Sequence, residues 1–176
     1  EIRMGEVFDE SRKELECVRD RRDNPDKYRG WVTGIGKLDY EMGGLLGGEV
    51  GMVVGLVGKG KTACLRDIGI QAAYDGAKVC LISAEQSMDL ARRQYLSRMS
   101  NFPYRKIKNG EMSDEDLDEA FRLLDIEEEK MKGRIEILDV PENCTVQRVK
   151  IGLRQKFKDT TFDMYLFDHL GIMLPS

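Results

Sequence analysis

The chain has 176 residues, 41% of them apolar and 34% charged, with a formal net charge of −4. This is one domain's worth of sequence, with enough apolar content for a packed core and no composition bias toward disorder. No apolar run approaches a membrane span, no secretory leader is visible, and the negative balance excludes binding of polyanions through bulk charge.

Residues 4–22 predict a charged amphipathic helix, with Met4, Val7, Phe8, Leu15 and Val18 on one face and Ser11 interrupting the stripe. Two partners suit such a face: the chain's own core or a neighbouring subunit. Asn24-Pro25 breaks the helix, and residues 23–29 read as a polar linker. The first residue is Glu1, not Met, which suggests a fragment or a processed chain. Four scattered cysteines (Cys17, Cys64, Cys80, Cys144) make no metal-ligand or redox spacing, so reduced thiols in a cytosol-like compartment are expected.

Val50 to Val54 predict a short buried strand. The run Gly55-Leu56-Val57-Gly58-Lys59-Gly60-Lys61-Thr62 follows it and fits G-x-x-x-x-G-K-[ST]. Residues 61–74 then predict a helix with Leu65, Ile68 and Ala72 on one face. Strand, glycine loop and helix together make a phosphate-binding loop. The glycines (Gly55, Gly58, Gly60) let the backbone turn its N–H groups inward, and the helix start, through Ala63, adds unpaired donors. Lys61 would reach the β and γ phosphates of a nucleoside triphosphate, and the Thr62 hydroxyl would ligate Mg²⁺. Lys59 adds a charge at the loop crest, either solvated or on the phosphates.

Downstream, Asp75-Gly76 makes a turn and Lys78–Ser83 a second buried strand. A helix over Ser87–Met99, a turn at Asn109-Gly110 and a capping-box variant at Ser113 and Asp116 come next. From that cap a helix runs to about Lys130, with Leu117, Ala120, Phe121 and Leu124 at helical spacing. Arg134–Leu138 read as a third strand. Thr145 caps a helix carrying Val146, Val149, Leu153 and Phe157, and Met164–Phe167 form a fourth strand ending in Asp168. The alternation predicts an α/β fold, a parallel sheet with helices on both faces.

Three polar residues stand at strand ends, where ligands bind in open α/β sheets. Asp168 follows four apolar residues and has the form of the second nucleotide motif, a carboxylate that holds Mg²⁺ directly or through water. Glu85, just after the second strand, could polarise an attacking water as general base; the alternative is a surface Glu or helix cap. His169 is the only histidine, either structural or a neighbour of the metal carboxylate. Arg92 and Arg93, on the helix after Glu85, read as a solvated face.

These residues resemble a known family. Thr33-Gly34-Ile35-Gly36-Lys37-Leu38-Asp39 with Gly43-Gly44-Leu45 is similar to the lead-in of the RecA-like core in DnaB-type replicative helicases. Gly47-Gly48-Glu49 looks like the turn before its first core strand. Ser83-Ala84-Glu85 matches its S-x-E segment, which implies that Glu85 is the catalytic glutamate. Lys106 to Ser113 resembles a stretch between its helices, and Leu166-Phe167-Asp168-His169-Leu170 its Walker B strand. His after the Asp looks more like the bacteriophage ring helicases and mitochondrial Twinkle. The resemblance implies ATP hydrolysis with Mg²⁺ between subunits of a homo-oligomer, expected as a hexamer, that moves along single-stranded DNA in the cytoplasm. A primase and a helicase loader are the partners it suggests. It also implies a linker helix and connector over 1–29 and a partial ATPase core over 30–176. The chain stops soon after Asp168, so the DNA-contacting loops and the arginine finger cannot be assigned. An unpaired sheet edge is expected, as in a partial chain. Rival readings are a RecA-type recombinase or other RecA-like ATPase, a small-molecule or nucleotide kinase with Arg92, Arg93 and Arg98 as loose lid candidates, and a non-hydrolysing nucleotide-binding module.

Overall fold

The computed structural model describes residues 4–84, 86–158 and 160–168. In chain order the regular elements are α1 (Met4–Asp23), a 3₁₀ turn (Pro25–Tyr28), α2 (Gly36–Met42), α3 (Lys61–Tyr74), β1 (Lys78–Ser83), α4 (Met88–Ser100), α5 (Tyr104–Asn109), α6 (Asp114–Lys130), β2 (Arg134–Asp139), α7 (Val146–Lys156) and β3 (Met164–Asp168).

The strands form a parallel sheet in the order β2-β1-β3. β1 is central, and its side chains alternate between two cores. Val79 and Leu81 meet Ile68, Ile70, Ala72 and Ala73 of α3, Tyr95 of α4, and Met164 and Leu166 of β3. Cys80 and Ile82 meet Val149 of α7, together with Leu138, Cys144 and Phe162, on the opposite face. Burial on both sides is why this strand reads as an unbroken apolar run. Ser83, the last residue of β1, sits in register with Asp139 on one side and Asp168 on the other.

Local signals explain most helix boundaries. Ser113 caps α6 with a complete capping box: its hydroxyl accepts from the Asp116 amide (3.1 Å) and the Asp116 carboxylate from the Ser113 amide (3.4 Å). Ser87 and Thr145 cap α4 and α7 in the same sense. The lead-in segment has a clear physical role. One Asp39 carboxylate accepts from the Thr33 amide and hydroxyl (both 2.7 Å) and from the Gly34 amide (2.9 Å). Burial raises the Asp39 pKa, but these bonds and the Arg29 charge outweigh it, so the carboxyl is held below its ordinary value. Trp31 pairs with Leu45 in a two-bond antiparallel bridge. The backbones cross so closely there that a Cβ on Gly30 would lie 2.6 Å from the Gly44 carbonyl carbon.

The expected strand over Val50–Val54 does not form. A strand exists only with a ladder partner, both edges of β1 are taken, and this segment pairs with no described strand. Val50, Met52 and Val54 are 92%, 75% and 82% exposed, and only Val53 turns toward the core. The short helices α2 and α5 go beyond the sequence reading. The stripe of α1 is likewise not buried in the chain's own core: Val7, Phe8, Leu15 and Val18 are all exposed. All four cysteines are free, and burial pushes the Cys80 thiol up to about 12. Among the described residues no helix is long and apolar enough to cross a membrane.

Candidate functional site

The glycine loop leads straight into α3. Gly58 and Gly60 have φ of +74° and +84°, the left-handed region that a Cβ disfavours. Gly60 is the N-cap of α3, and its carbonyl accepts from the Cys64 amide at 2.9 Å. No side chain caps this helix start, and the first-turn amides from Lys61 to Ala63 have no place in the intrahelical ladder. An anion at this point would meet both the amides and the positive end of the helix dipole. The Lys61 ammonium folds over the loop, donating to the carbonyls of Gly55 (3.0 Å) and Leu56 (3.1 Å). Lys59 is exposed on the crest.

The sheet delivers the acidic partner. The Thr62 hydroxyl, in the first turn of α3, donates to Asp168 Oδ1 at 3.0 Å. Asp168 ends β3 and is only 4% exposed. Its carbonyl accepts from the Ala84 amide (3.0 Å), and the Ser83 hydroxyl donates to the Gln86 carbonyl (3.0 Å), so the turn after β1 is tied to the end of β3. Glu85 and His169 lie outside the described residues. Arg92 and Arg93 are exposed, with Arg92 4.0 Å from Asp89, and Arg98 pairs with Asp67 at 2.9 Å.

Beside Thr62 and Asp168 lies a narrow cavity of about 10 Å³, which both residues line. Arg66, Ser83, Gln86, Gln94 and Tyr95 also line it. Arg66 Nη1 donates to Gln94 Oε1 at 2.8 Å. Burial pushes the Tyr95 phenol well above its ordinary value; the Arg66 charge opposes this, and the charges of Asp168 and Asp67 add to it. The sequence reading passed over Arg66, Gln94 and Tyr95. The available signal was spacing: Arg66 stands one helical turn after Thr62 and therefore on the same face of α3.

Two hard oxygen donors, one hydroxyl and one carboxylate, meet at the first turn of α3. That donor set fits Mg²⁺, which keeps most of its water and is held by one or two protein oxygens plus phosphates. Among the described residues no three His, Cys, Asp or Glu side chains cluster into a cage of protein ligands.

Comparison with known proteins gives a consistent pattern. The family described as "DnaB-like helicase C terminal domain" matches residues 30–176. Among solved structures, one described as an ATPase domain superposes with a TM-score of 0.74 at 19% identity, covering 93% of this chain and 58% of that one. A DnaB-like replicative helicase, described together with its interactions with primase, superposes with a TM-score of 0.75 at 18% identity, covering 93% of this chain and 39% of that one. The chain thus spans little more than half the length of one solved relative and less than half of the other. No curated protein sequence matches it.

Proposed function

The chain belongs to the family of DnaB-like helicase C-terminal domains, and from that premise we propose that it is the ATP-hydrolysing part of a replicative DNA helicase, a homo-oligomer of hexameric type that moves along single-stranded DNA. The Thr62–Asp168 hydrogen bond carries this reading, because it joins the phosphate loop to the acidic strand end at 3.0 Å. In the proposed mechanism the first-turn amides and the glycine loop bind the triphosphate. Lys61 swings from the carbonyls of Gly55 and Leu56 onto the β and γ oxygens, where it offsets developing charge. Thr62 and Asp168 would hold Mg²⁺, which neutralises phosphate charge when bound. Glu85 accepts a proton from the attacking water.

Residues 1–29 act as a linker helix and connector, and residues 30–176 as a partial RecA-like core. The exposed stripe of α1 supports docking on a neighbouring subunit. One solved relative is described with primase, which makes a primase a candidate partner here, alongside a helicase loader; such a machine would work in the cytoplasm. The test is Lys61→Ala in the full-length protein, with ATP turnover measured with and without single-stranded DNA. Turnover is expected to fall by at least about a hundredfold. Near-normal turnover overturns the assignment.

A further inference from the structure

Two residues that line the narrow cavity beside Thr62 and Asp168 each carry a side-chain atom that neither the fold nor the proposed mechanism uses. Arg66 Nε and the Tyr95 hydroxyl are buried and have no hydrogen-bond partner among the described residues. Buried polar atoms are nearly always satisfied, and each exception calls for an explanation. Here the two residues line the same cavity, together with Thr62 and the buried Asp168. Its volume, about 10 Å³, is close to that of a single water probe. The guanidinium is not free to wander: Nη1 is held by Gln94 at 2.8 Å. The phenol is equally confined, since Tyr95 is 8% exposed and its hydroxyl oxygen would lie 3.9 Å from a Cβ on Gly69.

We propose that Arg66 and Tyr95 are positioning residues, which through a water in this cavity hold the Asp168 carboxylate in the orientation that serves the metal. This rests on the Mg²⁺–ATP reading of the site and deepens it. Arg66 supplies a fixed positive charge on the wall of the cavity that Asp168 also lines. The Tyr95 hydroxyl and Arg66 Nε supply partners for the water, and the water reaches the carboxylate. The arrangement also has a structural corollary. Arg66 belongs to α3 and Gln94 to α4, so their bond ties the phosphate-loop helix to the helix that follows β1.

The test uses the full-length protein and three variants, Arg66→Gln, Arg66→Lys and Tyr95→Phe. Affinity for a fluorescent ATP analogue is titrated in EDTA and across a Mg²⁺ series, beside ATP turnover and thermal melting. Residues that orient a metal ligand typically change metal affinity by about 10- to 100-fold. Arg66→Gln and Tyr95→Phe are therefore expected to raise the half-saturating Mg²⁺ concentration roughly tenfold, with nucleotide affinity in EDTA unchanged. Arg66→Lys, which keeps the charge but loses the fork, should recover part of the shift. Tyr95→Phe removes one hydroxyl and keeps the packing, so it guards against a mere folding defect. A lower melting temperature with the wild-type Mg²⁺ curve in both Tyr95→Phe and Arg66→Gln overturns the proposal, while loss of turnover in Lys61→Ala leaves the parent reading standing. Failure of the wild-type protein to bind the analogue at all overturns both.

Discussion

The Thr62 hydroxyl and the Asp168 carboxylate, 106 positions apart in the chain, meet at 3.0 Å. Thr62→Val keeps the β-branched shape and deletes the donor. It removes one of the two proposed metal oxygens and takes a hydrogen bond from a buried carboxylate, which costs about 1–3 kcal/mol. Two outcomes are expected together: a lower melting temperature, and an ATPase that needs more Mg²⁺. A variant with unchanged Mg²⁺ dependence would show that this contact is only structural.

Glu85→Gln should separate binding from chemistry. The amide keeps the size of the carboxylate but cannot take a proton from water, and general bases typically contribute about 10²- to 10⁴-fold. The variant is expected to retain ATP affinity while turnover drops by roughly that factor. Equilibrium binding beside a phosphate-release assay would check it; persistence of both activities would place the base elsewhere.

The α1 stripe predicts an assembly defect without a folding defect. Phe8 and Leu15 are 61% and 65% exposed, so Phe8→Glu with Leu15→Glu removes nothing from the described core. Light scattering should show the double variant as a smaller species with secondary structure intact. An oligomer of unchanged size would assign the stripe another role.

Acid should loosen α1 from the turn that follows it. Asp20 accepts from Lys27 (2.6 Å), Tyr28 and Asn24 (2.7 Å). The hydrogen bond from Lys27, then those from Tyr28 and Asn24, lower its carboxyl from an ordinary 3.8 to about 2. The same partner raises the Lys27 pKa, so the cation persists throughout. Because the folded value lies below the unfolded one, the contribution of this tie is fully present above about pH 4 and fades as the pH falls through about 2. A carboxyl titration by NMR would check the midpoint; an ordinary value would mean that the cluster does not persist in solution.

The structural features that were legible in the sequence are those whose chemistry is local. The glycine run specifies its own turns, Ser113 and Asp116 cap each other three residues apart, and an apolar run ending in Asp168 marks a strand end. What could not be read depends on partners distant in the chain. Val50–Val54 has the composition of a strand, yet strand formation is decided by a neighbour and not by the segment itself. Helices α2 and α5 have seven and six residues, too short for an apolar period to show. Arg66 looks like any cation on a helix until α4 is folded against it and Gln94 takes its guanidinium.

The ladder between the ends of β1 and β3 has a mechanical consequence. The Ala84 amide is bonded to the Asp168 carbonyl, and adjacent strands stand about 4.8 Å apart, a spacing that backbone geometry dictates. The Asp168 carboxylate and the Ala84 backbone that follows β1 are thus mounted on one stiff frame. In the proposed mechanism, movement at the phosphates then falls to parts outside this ladder, among them the exposed loop around Lys59.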